Sequence, residues 1–311
     1  SNKIGPIVFT CPELGRFSTV GGLGVMVDEL SQGLVNLGEE IWVISPYYDK
    51  NKKGVTGYLE NDAANVRHIA NIEIQIGDEK YILGMHKGSE KGVHLVFLHN
   101  AYLFPQVYAD GTQSWRMAQL VAWGKGTLEA LCFLRLIPSF LVTNDWFTGL
   151  VPAYAKTSFG GVFNGTTLLH VVHNLDPSYE GRLYPQKPGD FFQEIHGLDC
   201  DFFVDSYWSK TIVNPSRCAL LCSDQWGTVS PSYRNELLAL SPLKELLKQK
   251  DKPFAFPNGI PVKERMKRLE GKGTHLDAKK ALQKTYFSMD QFDNNLCLMG
   301  FVGRITEQKG V

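Results

Sequence analysis

The sequence predicts an α/β fold built on a doubly wound, mostly parallel sheet with an added hairpin. Three observations lead to this prediction. Short β-branched runs alternate with longer helical patterns, each apolar run ends in polar residues, and one segment alternates apolar and polar residues around a Gly-Asp turn. Hydrophobic residues make up 43% of the 311 residues and charged residues 21%, which is typical of a globular protein.

The first elements follow this pattern in order. The run IVFT, from Ile7, predicts a strand. Apolar residues then recur at spacings of three and four, which predicts a helix with one face on the sheet and an end at Gly38. They are Leu23, Val27, Leu30, Leu34 and Leu37. IWVISPY predicts the next strand, and NIEIQIGDEKYILGMHKG predicts a hairpin that turns at Gly77 and Asp78.

The parallel pattern then resumes. VHLVFL, a helix from Trp115 to Leu134, SFLVTND, a helix from Thr148 to Ala155, and TTLLHVVHN complete the doubly wound series. The last residues, LCLMGFVGRITEQKGV, predict a new strand over 296–302 followed by a loop and the start of a helix. We therefore expect one domain over 1–295 and, over 296–311, the beginning of a second domain that is truncated here.

Charge and cysteine content exclude several classes of function. Lys plus Arg and Asp plus Glu each number 32, so no basic field exists to attract nucleic acid or an anionic membrane. The six cysteines form no CxxC pair, which favours reduced thiols and no zinc site. The most apolar window, from Leu128, contains Arg135 and Pro138 and is shorter than the ~20 residues that span a bilayer. Without a signal peptide, we expect a cytoplasmic protein, or a plastid one in a photosynthetic source.

Open α/β sheets bind ligands beyond the carboxyl ends of their strands, so the polar residues after each strand are the candidates for a site. Gly21 and Gly22 precede the first long helix, whose amino end offers unpaired N–H groups and a partial positive charge to an anion. The third glycine of a dinucleotide-binding GxGxxG fingerprint is absent, because Val27 occupies its place. A tight strand-to-helix turn without a ligand remains the alternative.

Seven segments, in order, resemble motifs of the glycogen and starch synthase family. FSTVGGLGVMVDEL resembles the family's KxGGL segment, TNDWFTGLVPAY resembles HxHDWHxGLxPxY, and VVHNLDPSYEGRLYP resembles TxHNxxYQGxF. EIHGLDCDFF resembles the IHGLEF segment, WGTVSPSYRNEL resembles TVSPxYxxEI, FPNGIPV resembles LNGVD, and FVGRITEQKG resembles SRLxxQKG. The resemblance implies a GT-B fold, in which two Rossmann-like domains face each other across a cleft.

The resemblance also implies an activity and a set of site residues. The activity is retaining transfer of glucose from ADP-glucose or UDP-glucose to the non-reducing end of an α-1,4-glucan, without a metal or other cofactor. The partners are then the nucleotide sugar, the glucan and the rest of the same protein's C-terminal domain. The implied catalytic residues are Asp145, His173, Arg304 and Lys309. The residues implied to contact the donor diphosphate are Thr19, Gly21, Gly22, Arg304 and Lys309. Those implied to contact the acceptor sugar are Glu13, Asp145, Trp146, Asn174 and Tyr179.

General chemistry makes these roles reasonable. Fixed cations at Arg304 and Lys309 would stabilise the charge that grows on the leaving phosphate. Asp145 could hold glucose hydroxyls, Trp146 could offer an apolar face to a sugar ring, and a neutral His173 could bond a hydroxyl. Asn174 is expected to order the loop that carries Tyr179, whereas His170, inside the same strand as His173, is expected to be a core histidine.

Several positions depart from the family pattern. Thr19 replaces a lysine, and Asn144 and Phe147 each replace a histidine. Arg16, three residues before Thr19, is a hypothetical substitute for the missing charge. These departures leave open a glucan-binding or regulatory module whose synthase activity has lapsed. A two-carboxylate glycosidase using Glu13 and Asp145 and a dinucleotide dehydrogenase are disfavoured. We expect the 311-residue chain alone to transfer little or no glucose.

Overall fold

The computed structural model describes residues 4–207, 210–251, 253–303 and 305, and it confirms the predicted α/β class. A nine-stranded sheet has the order β11-β10-β7-β6-β1-β2-β5-β4-β3. Its strands are β1 (Ile7–Thr10), β2 (Ile41–Tyr47), β3 (Arg67–Ile76), β4 (Glu79–Glu90), β5 (Val93–His99), β6 (Phe140–Asn144), β7 (Thr167–Val172), β10 (Gln225–Thr228) and β11 (Phe254–Ala255). β8 (Val204–Tyr207) and β9 (Lys210–Val213) form a separate antiparallel pair.

The sheet is parallel except at the predicted hairpin. β4 pairs antiparallel with both β3 and β5, and the β3–β4 turn contains Gly77 and Asp78 as expected. The other neighbouring strands pair in parallel, so their carboxyl ends share one edge. Thr10 lies beside Thr143, and Asn144 beside Val171. This register brings the polar segments after β1, β6 and β7 together.

Helices cover both faces of the sheet. They are α1 (Gly15–Ser18), α2 (Gly22–Asn36), α3 (Gln113–Phe133), α4 (Val151–Lys156), α5 (Gly160–Phe163), α6 (Gln193–His196), α7 (Pro215–Cys222), α8 (Pro231–Leu240) and α9 (Lys244–Gln249). α2 packs Leu23 and Val27 into a core with β1 and β2. α3 and α4 bury their apolar residues in a larger core on the other face, where Trp123 and Tyr154 are fully enclosed.

One predicted helix begins later than the sequence pattern indicates. Residues Trp146–Thr148 form a 3₁₀ turn, and α4 begins only at Val151. Pro152 stands in the first turn of α4, where its missing N–H costs no helical hydrogen bond. The 3₁₀ turn leaves Asp145 and Trp146 in a tight connection at the sheet edge.

The chain divides into two compact units, Ser1–Gly259 and Ile260–Val311. Within the second unit are α10 (Val262–Lys267) and α11 (His275–Phe287). Gln283 is buried there because its side chain both donates to and accepts from the backbone of Asp293. The prediction of a strand over 296–302 is wrong, because these residues form no strand in the structure. A strand requires a hydrogen-bonded neighbour, and no described segment pairs with these residues. The predicted domain boundary at 295/296 stays a prediction.

Candidate functional site

The carboxylate of Glu13 lies at the centre of the loop between β1 and α2. Glu13 is buried, and its Oε2 atom accepts hydrogen bonds from the backbone N–H groups of Val20 at 2.9 Å and Gly21 at 2.8 Å. Its Oε1 atom accepts from the hydroxyl of Tyr108 at 2.6 Å. The two backbone N–H groups just before α2 therefore already donate to the carboxylate of Glu13.

The three glycines of this loop have different surroundings. A Cβ atom on Gly24 would lie 2.2 Å from Thr19 Oγ1 and 2.9 Å from Glu13 Cβ, so only glycine fits there. A Cβ on Gly21 would be 3.6 Å from a Glu13 oxygen, and one on Gly22 would meet nothing within 4 Å. Gly22 is exposed and begins α2, so the amino end of the helix is accessible. The roles of Gly21 and Gly22 toward a diphosphate stay predictions.

The charge of Arg16 is not directed toward Thr19. The Arg16 guanidinium makes two hydrogen bonds to Asp62, at 2.6 and 2.7 Å, and a third to Glu90 at 2.9 Å. The hypothesis that Arg16 replaces the family's lysine is therefore contradicted, because two carboxylates already hold this cation. The hydroxyl oxygen of Thr19 is buried and has no hydrogen-bond partner among the described residues.

Asp145 is the buried carboxylate at the end of β6. Its backbone adopts a left-handed conformation, with φ of 54°, which turns the side chain back toward β7. Its Oδ1 atom accepts from the backbone N–H of His173 at 2.7 Å and, weakly, from that of Asn174 at 3.4 Å. Oδ2 is buried without a partner among the residues described.

Burial sets the protonation of Asp145. It raises the pKa of the carboxyl to about 7, the two backbone hydrogen bonds oppose this rise, and the nearby charge of Glu13 adds to it. An unpartnered oxygen in such a place costs free energy unless a ligand donates to it. Asp145 Oδ2 therefore accepts a hydrogen bond when the carboxyl is ionised and donates one when it is protonated.

His173 is held as a neutral, oriented imidazole. Asn144 Nδ2 donates to the Thr10 carbonyl at 3.1 Å, which fixes the amide so that its oxygen faces His173 Nε2 at 2.9 Å. An amide oxygen only accepts, so Nε2 carries the proton and Nδ1 is an acceptor. Burial lowers the pKa of His173 to about 4, so the ring is neutral at pH 7. Asn144, noted above only as a departure, orients this ring.

His170 has the structural role expected from the sequence. It is buried inside β7, and its Nδ1 atom lies 2.8 Å from Thr143 Oγ1. The Thr143 hydroxyl donates to the carbonyl of Leu169, so the imidazole N–H donates to Thr143. Burial lowers the pKa of His170 to about 3. The ring is a satisfied core group.

Aromatic rings form one wall of the site. The ring of Tyr108 lies 6.0 Å from that of Trp146, and the hydroxyl of Tyr179 donates to the hydroxyl of Tyr108 at 3.2 Å. Gly181 has a φ of 72°, and a Cβ there would lie 2.5 Å from the Trp146 ring. Asn174 Oδ1 accepts from the backbone N–H of Asp176, which orders the start of the loop that carries Tyr179, as expected.

Tyr108 is a site residue that the sequence pattern did not predict. It is the group that joins the loop after β1 to the loop after β7, because it donates to Glu13 and accepts from Tyr179. Tyr108 lies 95 residues from Glu13 in a loop without periodicity, so no spacing rule connects the two.

A buried ionic network behind the aromatic wall was also missed. Glu180 Oε2 accepts from Arg182 Nε at 2.5 Å and from Asn214 Nδ2 at 3.0 Å. The same amide of Asn214 reaches Asp205, and its oxygen caps α7 by accepting from Ser216 and Arg217. Burial raises the pKa of Glu180, and the Arg182 guanidinium opposes that rise. The network fixes the loop between Tyr179 and β9.

The structure thus brings together most of the predicted site residues at the carboxyl edge of the sheet. Asp145, His173 and Asn174 share hydrogen bonds, and Glu13 is close enough to raise the pKa of Asp145. Arg304 and Lys309 lie outside the described residues. Within the described ranges, no group of three or more His, Cys, Asp or Glu residues is placed to hold a metal ion, and no helix is long and apolar enough to cross a membrane.

Comparisons with known proteins all identify glycogen and starch synthases as similar to this chain. The model of the starch synthase catalytic domain family matches residues 6–249. A glycogen synthase of Streptococcus agalactiae serotype III (strain NEM316) is 28% identical over 329 residues, which cover 98% of this chain and 64% of that protein. A glycogen synthase of Streptococcus pneumoniae (strain Hungary19A-6) is 29% identical over 266 residues, which cover 82% of this chain and 52% of that protein. The chain thus spans between half and two thirds of the length of these relatives.

A solved structure shows the same fold. The catalytic domain of starch synthase IV from Arabidopsis thaliana, bound to ADP and acarbose, superimposes with a TM-score of 0.70 at 22% sequence identity. The match covers 84% of this chain and 52% of that one. The likeness confirms the predicted GT-B type of fold.

Proposed function

Because this chain belongs to the starch synthase catalytic domain family of glycosyltransferases, we propose that the protein transfers glucose from a nucleotide sugar to the non-reducing end of an α-1,4-glucan. The donor is ADP-glucose or UDP-glucose, and the new bond retains the anomeric configuration. The bound ADP and acarbose of the Arabidopsis neighbour support a nucleotide and a sugar ligand for this fold.

The observation that carries the proposal is the pairing of Asp145 and His173. Asp145 presents a buried Oδ2 atom that has no partner among the described residues and accepts a hydrogen bond when the carboxyl is ionised, and His173 presents an acceptor nitrogen on a neutral ring. Sugar hydroxyl groups are donors, so two fixed acceptors at one edge suit the binding of a hexose. A neutral imidazole also avoids repelling the positive charge that develops at the anomeric carbon.

The remaining roles are those that the family resemblance implies. The ring of Trp146 would contact the apolar face of a sugar, and Tyr179 would cover the acceptor. The accessible amino end of α2 at Gly22 would face the donor diphosphate. Arg304 and Lys309 would neutralise the departing phosphate, whose freed oxygen would take the proton of the acceptor hydroxyl.

Incorporation of radiolabelled glucose into glycogen tests the proposal, with each donor supplied separately and with linkage analysis of the product. The assay uses the 311-residue chain and the longest natural chain that contains it. Asp145→Asn should lower kcat/KM at least about a hundredfold. The substitution replaces a carboxylate with an amide, whose NH2 group cannot accept a hydrogen bond from a sugar hydroxyl. Asp78→Asn, an exposed carboxylate in the hairpin turn, is the matched control and should leave kcat/KM unchanged. Transfer that is equally fast in both variants would refute the assigned role of Asp145.

A second candidate is a glucan-binding module without synthase activity. It is favoured by the loop after β1, where Glu13 already occupies the Gly21 N–H and Arg16 is paired with Asp62 and Glu90. The two candidates differ in one measurement on the longest natural chain. Glycogen binding without incorporation from either donor would establish the module, and incorporation would exclude it.

A further inference from the structure

Three aromatic side chains line the surface beside the site. Tyr102 is 61% exposed, and its ring lies parallel to that of Tyr81, with 6.4 Å between the ring centres. Trp115 stands at right angles to Tyr102, 6.5 Å away. We refer to Tyr81, Tyr102 and Trp115 as the aromatic row. It begins on β4, crosses the loop after β5 and ends in the first turn of α3.

Hydrogen bonds hold the side chains of Trp115 and Tyr81 and the backbone of Tyr102. The indole N–H of Trp115 donates to the carbonyl of Tyr102, and the backbone N–H of Trp115 donates to Thr112, which caps α3. The backbone N–H of Tyr102 donates to Asn100 Oδ1, and the hydroxyl of Tyr81 donates to Glu79. Ordering side chains on binding costs conformational entropy, and this cost is smaller for Trp115 and Tyr81 because their polar groups are already hydrogen-bonded in the free protein.

The first turn of α3 joins the aromatic row to the proposed acceptor site. Arg116, the residue after Trp115, places its guanidinium 5.9 Å from the centre of the Trp146 ring. Gln113 accepts a hydrogen bond from the backbone of Tyr184, at the end of the loop that carries Tyr179. Trp115 therefore lies within two residues of both contacts between α3 and the acceptor site.

We propose that the aromatic row binds the α-glucan acceptor several glucose units away from the transferred one. The inference rests on the proposed function and extends it, because that function requires a long polymer whose outer part must lie on the protein surface. The exposed ring of Tyr102, flanked by the half-buried rings of Tyr81 and Trp115, presents a flat apolar face with a hydroxyl at its edge. This chemistry suits the apolar faces and hydroxyl rim of pyranose rings. The continuity with Trp146 favours the glucan over a protein partner.

Binding experiments on the longest natural chain test this proposal directly. The probes are glycogen in affinity gel electrophoresis and maltoheptaose in calorimetry, with cellohexaose as a probe of the wrong linkage. Tyr102→Ala should weaken binding of glycogen and maltoheptaose about five- to tenfold, and Tyr102→Trp should restore it. Phe133→Ala is the control, because Phe133 is 54% exposed at the far end of α3, about 30 Å along the same helix.

Kinetics separate this role from a general structural one. In Tyr102→Ala the KM for glycogen should rise five- to tenfold, whereas kcat and the KM for the nucleotide sugar stay unchanged. If wild type binds glucan and Tyr102→Ala binds it equally well, the inference is wrong, although the proposed function can stand. A change in sedimentation without a change in glucan affinity would also overturn it, since it would assign the surface to self-association. If wild type neither binds nor extends glucan, both proposals fail.

Discussion

The carboxylate of Glu13 accepts a hydrogen bond from the hydroxyl of Tyr108 at 2.6 Å and, through its other oxygen, one from the N–H of Gly21 at 2.8 Å. The loop before α2 is thereby tied to the loop before α3. Since Tyr179 donates to the same hydroxyl of Tyr108, two hydrogen bonds among three side chains connect three segments that are remote in sequence.

Removing the hydroxyl should loosen this connection. Tyr108→Phe leaves a buried carboxylate oxygen without its donor, so we expect a loss of about 1–3 kcal/mol in the free energy of unfolding. Urea denaturation measures it, and hydrogen exchange should show faster exchange at Val20 and Gly21. Tyr102→Phe, on an exposed ring, should cost less than about 0.5 kcal/mol. Equal losses in the two variants would show that the Glu13 contact contributes nothing.

Two glycines in the first turn of α2 should respond oppositely to alanine. Gly24→Ala places a methyl group against Thr19 and Glu13 and should destabilise the protein by about 1–3 kcal/mol. Gly22→Ala meets open space at an ordinary helical position and should be neutral or stabilise by about 0.5 kcal/mol. Thermal denaturation compares them. Thr19→Ala should rescue part of the Gly24→Ala loss, and an absence of rescue would locate the strain elsewhere.

The raised pKa of Asp145 predicts a pH dependence of stability. Between pH 4 and 7 the folded state keeps a proton that the unfolded state, with a pKa near 3.8, has released. Stability contributed by Asp145 therefore falls as pH rises through this window and is constant above about pH 7. Relative to wild type, Asp145→Asn should gain on the order of 4 kcal/mol between pH 4 and pH 8. Denaturation profiles of the two proteins that stay parallel with pH would contradict the prediction.

Asn144 should control the titration of His173. Asn144→Asp places a carboxylate next to Nε2, which favours the imidazolium and should raise the pKa of His173 from about 4 by about one to three pH units. NMR titration of the ring protons measures the shift. The ring of His170, held by Thr143 in the same strand, serves as the internal reference. An unchanged His173 would mean that the amide does not face its ring.

The buried pair of Glu180 and Arg182 should show strong coupling. Arg182→Ala leaves the Glu180 charge buried and should cost about 3–5 kcal/mol, whereas the double alanine variant should cost clearly less than the sum of the single variants. The exposed pair of Glu73 and Lys80 provides the comparison, and its coupling should be much weaker because solvent screens both charges. Additive losses at Glu180 and Arg182 would rule out an energetically significant pair.

Much of the architecture could be predicted because it depends on short-range patterns. IVFT and IWVISPY form strands with the predicted bounds, and the hairpin turns at Gly77 and Asp78. The first long helix begins at Gly22 and ends at Asn36, close to the expected limits. The prediction of a strand over 296–302 was wrong because strand pairing is not a short-range property. An apolar run indicates a strand only where a neighbouring strand can pair with it.

The site was predictable only in part. Polar residues at the ends of parallel strands meet at one edge, so the meeting of Asp145 and His173 follows from the fold class. The partners of Glu13 and Arg16 do not follow from it. Both are charged residues of one loop, yet Glu13 turns inward to Tyr108 and Arg16 turns outward to Asp62 and Glu90.

The sequence by itself determined the order of strands and helices, the edge at which a ligand would meet the chain, and the residue types available there, since periodicity and strand direction are local properties. Only the tertiary structure decided which backbone N–H groups donate to Glu13 and which carboxyl has its pKa raised to about 7. It also decided which nitrogen of His173 can accept a hydrogen bond. Those properties depend on burial and on contacts between residues up to 134 positions apart, as between the Asn144 amide and the Thr10 carbonyl. Such contacts exist only after the chain has folded.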